Sequence, residues 1–194
     1  MFDEIIKRKF NETFIEYGII NGNNTILLIK TGSEGTIYGY NNKYLELAKY
    51  VSSKYGFTVI VSSNPRTGIN SNHLADAIEF IEEYFKDKYE IYYMGISNGG
   101  LIGAWYGNNY SFKRMLLINP PLMINYHKTK EGLQSFNNDK VSLIFGELDP
   151  SFKLVGLLDY INNDKVNYHI IKGEDHHLSN VDYKDLVKYL FGNE

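Results

Sequence analysis

Three short stretches carry the residue types that nucleophilic chemistry needs, and they occur in the order serine, aspartate, histidine. The first is Gly95-Ile96-Ser97-Asn98-Gly99, the second Gly146-Glu147-Leu148-Asp149-Pro150, and the third Gly173-Glu174-Asp175-His176-His177. A serine hydroxyl is a weak nucleophile until a neighbouring imidazole takes its proton, and a carboxylate must fix the tautomer of that imidazole. Each stretch taken alone has a plainer reading. Gly-x-Ser-x-Gly is also a glycine-rich turn, and an Asp before Pro is a common turn or capping residue. The histidines suit a solvated loop or, with Asp175, a metal site. A metal is the poorer reading, since no i, i+4 His pair or second ligand cluster accompanies it. Three plain coincidences in this order are a weaker account than one Ser, Asp and His constellation.

Such a constellation works only if secondary structure delivers its members to one place, and the flanking patterns do this. Residues 3–18 alternate apolar and polar positions around Asn11-Glu12 and read as a hairpin. Short apolar runs at 25–30, 58–61, 91–94, 115–118, 141–145 and 168–171 read as buried strands. Between them lie helical patterns at 44–54, 74–85, 101–106, 152–161 and 181–191, the second opened by a Ser71 or Asn72 cap. Strands alternating with helices predict a three-layer α/β/α sandwich around a mostly parallel sheet, with the antiparallel hairpin at its N-terminal edge. In such sheets function sits at the C-terminal ends of the strands. Ser97, Asp149 and His176-His177 each follow a strand. Residues 120–140 hold a loop and one short helix, too little for a cap domain, so a single domain over 1–194 is expected.

With a strand before it, a helix after it and glycines where Cβ atoms would collide, the serine segment resembles the nucleophile elbow of the α/β-hydrolase family. The resemblance covers nearly the whole chain: elbow 95–99, acid loop 146–149 and histidine loop 173–176. It implies Ser97 as nucleophile, Asp149 as acid and His176 as general base, with His177 the alternative. It also implies an oxyanion hole of two backbone N–H groups, which maps onto Asn98 and onto Ser33 of Lys30-Thr31-Gly32-Ser33. Many members carry His-Gly where this chain has Thr31-Gly32. The implied activity is that of a small serine hydrolase without a lid, cleaving an ester, thioester or amide of a small acyl substrate through an acyl-enzyme and using no cofactor or metal. Arg66 and Gly32 are candidate substrate contacts. Tyr38, Tyr40, Tyr126 and Phe152 lie in segments able to wall the pocket, although 17 Tyr in the chain make such placements common. His73 and His127 read as surface residues, His169 as a strand residue facing a neighbour, and Asn119-Pro120-Pro121 as a shaper of its loop.

Composition excludes several other classes. The 194 residues carry 20 Lys and Arg against 23 Asp and Glu, a net −3, too balanced for an electrostatic nucleic-acid binder. Cys is absent, which removes disulfides, thiolate metal sites and cysteine nucleophiles. No apolar run approaches the roughly 20 residues that cross a bilayer, and the charged first nine residues lack a secretory signal pattern. The expectation is a cytoplasmic protein acting on a small molecule, with a homodimer open through the 120–140 segment. Two readings compete with a hydrolase. Thr31-Gly32-Ser33-Glu34-Gly35-Thr36 could cradle the phosphate of FMN in a flavodoxin-like module, although there the loop follows the first strand, and here a hairpin precedes it. A hydrolase fold used only for binding is the other.

Overall fold

The structure, a computed structural model, describes residues 1–66 and 72–192. The alternating N-terminal pattern forms β1 (Glu4–Phe10) and β2 (Thr13–Ile20), antiparallel from Glu4 opposite Ile19 to Phe10 opposite Thr13. Asn11 makes the turn at φ 54°, a region that Asn tolerates. There follow β3 (Asn23–Lys30), α1 (Lys43–Tyr55), β4 (Phe57–Ser62), α2 (His73–Tyr84), β5 (Glu90–Ile96) and α3 (Asn98–Tyr106). The remainder is β6 (Phe112–Ile118), α4 (Tyr126–Gln134), β7 (Lys140–Gly146), β8 (Val166–Ile171), α5 (Tyr183–Leu186) and α6 (Lys188–Phe191).

The eight strands form one sheet in the order β1-β2-β4-β3-β5-β6-β7-β8. The pairs β1-β2 and β2-β4 are antiparallel and the other five parallel, so the hairpin occupies one edge. Both faces of the central strands are covered, which is why they read as continuous apolar runs. Successive residues alternate between two cores. Ile26 and Leu28 of β3 join Leu74, Ala77 and Ile81 of α2 and Leu101, Ile102 and Trp105 of α3 on one face. Leu27 and Ile29 join Leu45, Ala48 and Val51 of α1 and Leu186 and Leu190 of α5 and α6 on the other. This is a three-layer α/β/α sandwich. Among the described residues no helix is long and apolar enough to cross a membrane.

Two helical patterns resolve differently from the sequence expectation. Residues 152–161 form a run of 3-10 turns, Pro150–Tyr160, opened by the Asp149 carboxylate, which accepts from the Ser151 N–H at 2.6 Å. Residues 181–191 split into α5 and α6 about Val187. Asn72 caps α2, accepting from the N–H groups of Leu74 and Ala75 at 3.1 and 3.3 Å. Ser71, the other capping candidate, lies outside the described residues, as do residues 67–70.

His73 corrects an expectation. It is 3% exposed rather than on the surface, packed edge-on against Phe10 with ring centres 4.9 Å apart. Position one of an amphipathic helix looks polar in sequence, but here it faces β1 and the buried end of β3. Close by, Lys30 is fully buried, its ammonium donating to Ser62 Oγ at 3.0 Å, while the Tyr17 hydroxyl donates to Asp76. His127 is exposed, and His169 packs on Tyr189 at 4.5 Å between ring centres.

Candidate active site

β5 ends at Ile96 and α3 begins at Asn98, leaving Ser97 alone to turn the chain. It does so at φ 51° and ψ −115°, a conformation costly for a residue with a Cβ. The turn is held at both ends: the Ser97 N–H donates to Ile118 O at 2.7 Å, and Leu101 N–H to Ser97 O at 3.0 Å. Glycine is required on either side. A Cβ on Gly95 would sit 2.5 Å from Gly99 O, and one on Gly99 2.2 Å from Lys30 O. The tight turn lifts the Ser97 side chain out at the C-terminal edge of the sheet.

β7 and β8 bring in the other two members. Asp149 follows β7 and is 3% exposed. His176 follows β8, its side chain one-third exposed. His176 Nε2 lies 2.9 Å from Ser97 Oγ, and Nδ1 is hydrogen-bonded to Asp149 Oδ2. An ionised carboxylate only accepts, so Nδ1 carries the proton and Nε2 presents a lone pair to the serine hydroxyl. The second carboxylate oxygen of Asp149 is engaged by Ser151 N–H, which leaves the group no freedom to rotate. The structure thus brings Ser97, His176 and Asp149 into one hydrogen-bonded chain. His177 is exposed, its ring centre 5.6 Å from that of His176; it lines the same cavity as His176, but the bonds to Ser97 and Asp149 are made by His176.

The loop after β3 runs beside the elbow. Gly32 faces the serine so closely that a Cβ there would lie 3.3 Å from Ser97 Cβ. Asn98, first in α3, has an N–H with no intrahelical acceptor. Among the described residues the Ser33 N–H is given to no backbone carbonyl, whereas those of its neighbours Thr31, Glu34 and Gly35 are bonded to Ser62, Asn64 and Gly32. Ser33 and Asn98 both line the cavity that holds Ser97.

Two asparagines hold this arrangement: Asn119, read from the sequence as part of a loop shaper, and Asn64, assigned no role from the sequence alone. Asn64, 2% exposed, donates from Nδ2 to Thr31 O and to Asn98 Oδ1, both at 2.9 Å, and its carbonyl accepts from Glu34 N–H at 2.8 Å. It ties the β3 loop to the elbow. Asn119, fully buried at φ 44°, donates to His176 O at 2.8 Å and Asp175 O at 3.3 Å while accepting from Gly146 N–H at 2.9 Å. It ties the histidine loop to the end of the acid strand. The sequence signal is that both are Asn-Pro pairs at a strand end, Asn119 directly after β6 and Asn64 separated from β4 only by Ser63.

Two cavities meet at Ser97. One, of about 420 Å³, includes Ser33, Ser97 and Asn98 and is walled by Leu101, Ile102, Trp105 and Ile124, with Arg66 and His73 also lining it. The other, of about 370 Å³, includes Gly32, Ser33, Ser97 and His176 and ends at Tyr40, Lys43, Tyr44 and Tyr183. Of the expected wall residues, Tyr40 lines this second cavity, while Trp105 and Tyr106 supply aromatic surface in the first. Burial between Phe10 and the Lys30 ammonium lowers the pKa of His73 to about 4, so it meets the first cavity as a neutral ring. Among the described residues no group of three or more His, Asp or Glu is placed to hold a metal ion.

The fold of this chain is found again in solved structures. The chain has the α/β-hydrolase fold. It superposes on an alpha-beta serine hydrolase homologue from Coxiella burnetii with a TM-score of 0.73 at 15% identity, covering 100% of this chain and 98% of that one. Est1E from Butyrivibrio proteoclasticus gives 0.72 at 12% identity, covering 97% and 99%. The esterase domain of a Rhodothermus marinus protein gives 0.71 at 13%, covering 98% and 96%. No protein-family model and no curated protein matches the sequence. At these identities what is shared is the hydrolase fold, so the chemistry rests on this chain's own site.

Proposed function

We propose that the protein is a serine hydrolase that cleaves an ester, thioester or amide of a small acyl group through an acyl-enzyme on Ser97. One observation carries the reading: the bonded chain from Ser97 Oγ through His176 to buried Asp149. In this mechanism His176 Nε2 takes the serine proton as Oγ bonds to the substrate carbonyl carbon. The negative charge passes to the carbonyl oxygen, facing the N–H groups of Asn98 and Ser33, each worth roughly 3 kcal/mol in comparable sites. The tetrahedral species then breaks its bond to the leaving group, which departs with the proton from His176. Water repeats the sequence and frees the acid.

On this mechanism the two sides of the substrate take different cavities. The departing atom must reach His176, so the leaving group occupies the cavity that His176 lines, and the acyl group the apolar one beside Trp105. Four apolar side chains and a neutral His73 suit a short or single-ring acyl chain. A structure of Est1E with ferulic acid bound makes aryl acids a sensible part of the screen.

A fluorophosphonate probe tests the reading. Covalent labelling of the wild type is expected, with none in Ser97→Ala and little in His176→Ala. A folded wild type that takes no label overturns an activated serine and leaves a binding role for the fold.

A further inference from the structure

The cavity lined by His176 contains a charge that the steps above do not use. Lys43, the first residue of α1, places its Nζ 4.4 Å from the ring centre of Tyr183 and 5.2 Å from that of Tyr44. Ring faces attract a cation but do not neutralise it. Among the described residues no Asp or Glu lines this cavity. The two carboxylates just beyond it, Glu46 and Asp182, line an adjoining cavity of about 600 Å³ that shares the Lys43 wall. Both have other partners: Glu46 pairs with Lys49 at 3.1 Å, and Asp182 lies 4.0 Å from Lys184 and caps α5 through the Lys184 N–H at 2.9 Å. Half-burial lowers the Lys43 pKa from its ordinary value, and among the described residues no carboxylate raises it again. A half-buried ammonium without a carboxylate partner is a poor arrangement for stability and a good one for an anion.

Resting on the hydrolase reading above, which puts the leaving group in this cavity, we propose that Lys43 selects substrates whose leaving group carries a single negative charge, a carboxylate, at the end remote from the scissile bond. One lysine matches one charge. Glu46 and Asp182 behind it repel any anion reaching further, so the carboxylate stops at Lys43. Tyr44 and Tyr183 give the carbon skeleton before it a flat aromatic surface.

The test compares 4-acetoxyphenylacetate with 4-acetoxyphenylacetamide, which have the same acyl group, phenols of similar acidity, and differ by the remote charge. The wild type is expected to favour the anion by about tenfold in kcat/KM, the scale of one charge-assisted hydrogen bond. In Lys43→Met that ratio collapses toward one, and in Lys43→Arg most of it is retained. Equal kcat/KM for the two esters in the wild type, or an unchanged ratio in Lys43→Met, overturns the proposal. Should the wild type hydrolyse neither ester, the esterase reading fails, and Lys43 is judged by calorimetry on Ser97→Ala. There 4-hydroxyphenylacetate is expected to bind about tenfold tighter than its amide, and only while Lys43 is present. Equal affinities overturn the anion site.

Discussion

Ser97 holds φ 51° in a chain where glycine flanks it on both sides, and the strain is sustained by backbone bonds to Ile118 and Leu101. Strain of this kind persists only where the surroundings over-determine the conformation, and here a neighbouring strand and the first turn of α3 do so. At the same scale, Asp149 divides its two oxygens between His176 Nδ1 and Ser151 N–H. Asn in its place keeps the cap to Ser151 but offers an amide to the imidazole, which favours the wrong tautomer. On the proposed mechanism, Asp149→Asn is expected to lower turnover by about 10⁴-fold with little change in melting temperature. Steady-state kinetics and a thermal melt on the same sample check both halves. Near-normal turnover would move the acid role to another residue.

Elements meet through few atoms around the site, and each junction makes a prediction. Asn119 joins β6, β7 and the histidine loop with three hydrogen bonds. Asn119→Ala leaves the Gly146 N–H and two carbonyls to find new partners, at about 1–3 kcal/mol for each buried group left unsatisfied. Released from β6, His176 drifts from Ser97, and a displacement near 1 Å costs about 10²-fold in rate. Urea unfolding and the rate of probe labelling report the two effects separately; unaltered labelling would show that the loop is held by other contacts. α3 and α4 approach so closely that a Cβ on Gly132 would sit 1.9 Å from Ala104 O. Gly132→Ala is expected to push α4 away at a cost of about 1–3 kcal/mol. It would also loosen Trp105, whose indole N–H donates to Thr129 Oγ1 at 2.9 Å and whose ring walls the apolar cavity. KM for an acyl ester should therefore rise more than kcat falls.

The whole molecule carries a pH dependence set by groups beneath the site. Burial lowers the Lys30 pKa to about 7 from 10.5, outweighing the opposing pull of Asp76, and His73 is lowered to about 4 from 6.5 by burial and by Lys30. Both are bases that bind protons more readily in the unfolded chain. Stability therefore rises with pH wherever the unfolded chain holds the extra proton. For Lys30 that window is pH 7 to 10.5, and for His73 pH 4 to 6.5, with a slope of no more than about 1.4 kcal/mol per pH unit for one proton. The unfolding free energy of wild type minus that of Lys30→Met is expected to climb between pH 7 and 9. His73→Leu should remove part of the loss seen as pH falls from 6.5 to 4. Flat difference curves would mean that Lys30 keeps its proton inside the fold through the contacts to Ser62 and Ser63.

What the amino-acid sequence determined by itself is the layered architecture and the positions of its chemistry. Continuous runs such as Ile26–Ile29 can be only buried strands between two helical layers, and a glycine-flanked serine between strand and helix tolerates few geometries. These are local constraints of period, sterics and turn chemistry, so they are written in neighbouring residues. The tertiary structure decided what depends on residues distant in the chain. It chose His176 over His177 through a bond to Asp149, 27 residues earlier, and buried His73 against β1. It gave the Asn64 and Asn119 side chains bonding partners 27 to 57 positions away. It also turned the 3-10 run after Asp149 and the break at Val187 away from regular helix, because packing on the sheet outweighs weak helical propensity in short segments. No spacing in sequence encodes those partners; they exist only once five parallel strand pairs have brought the loops to one edge.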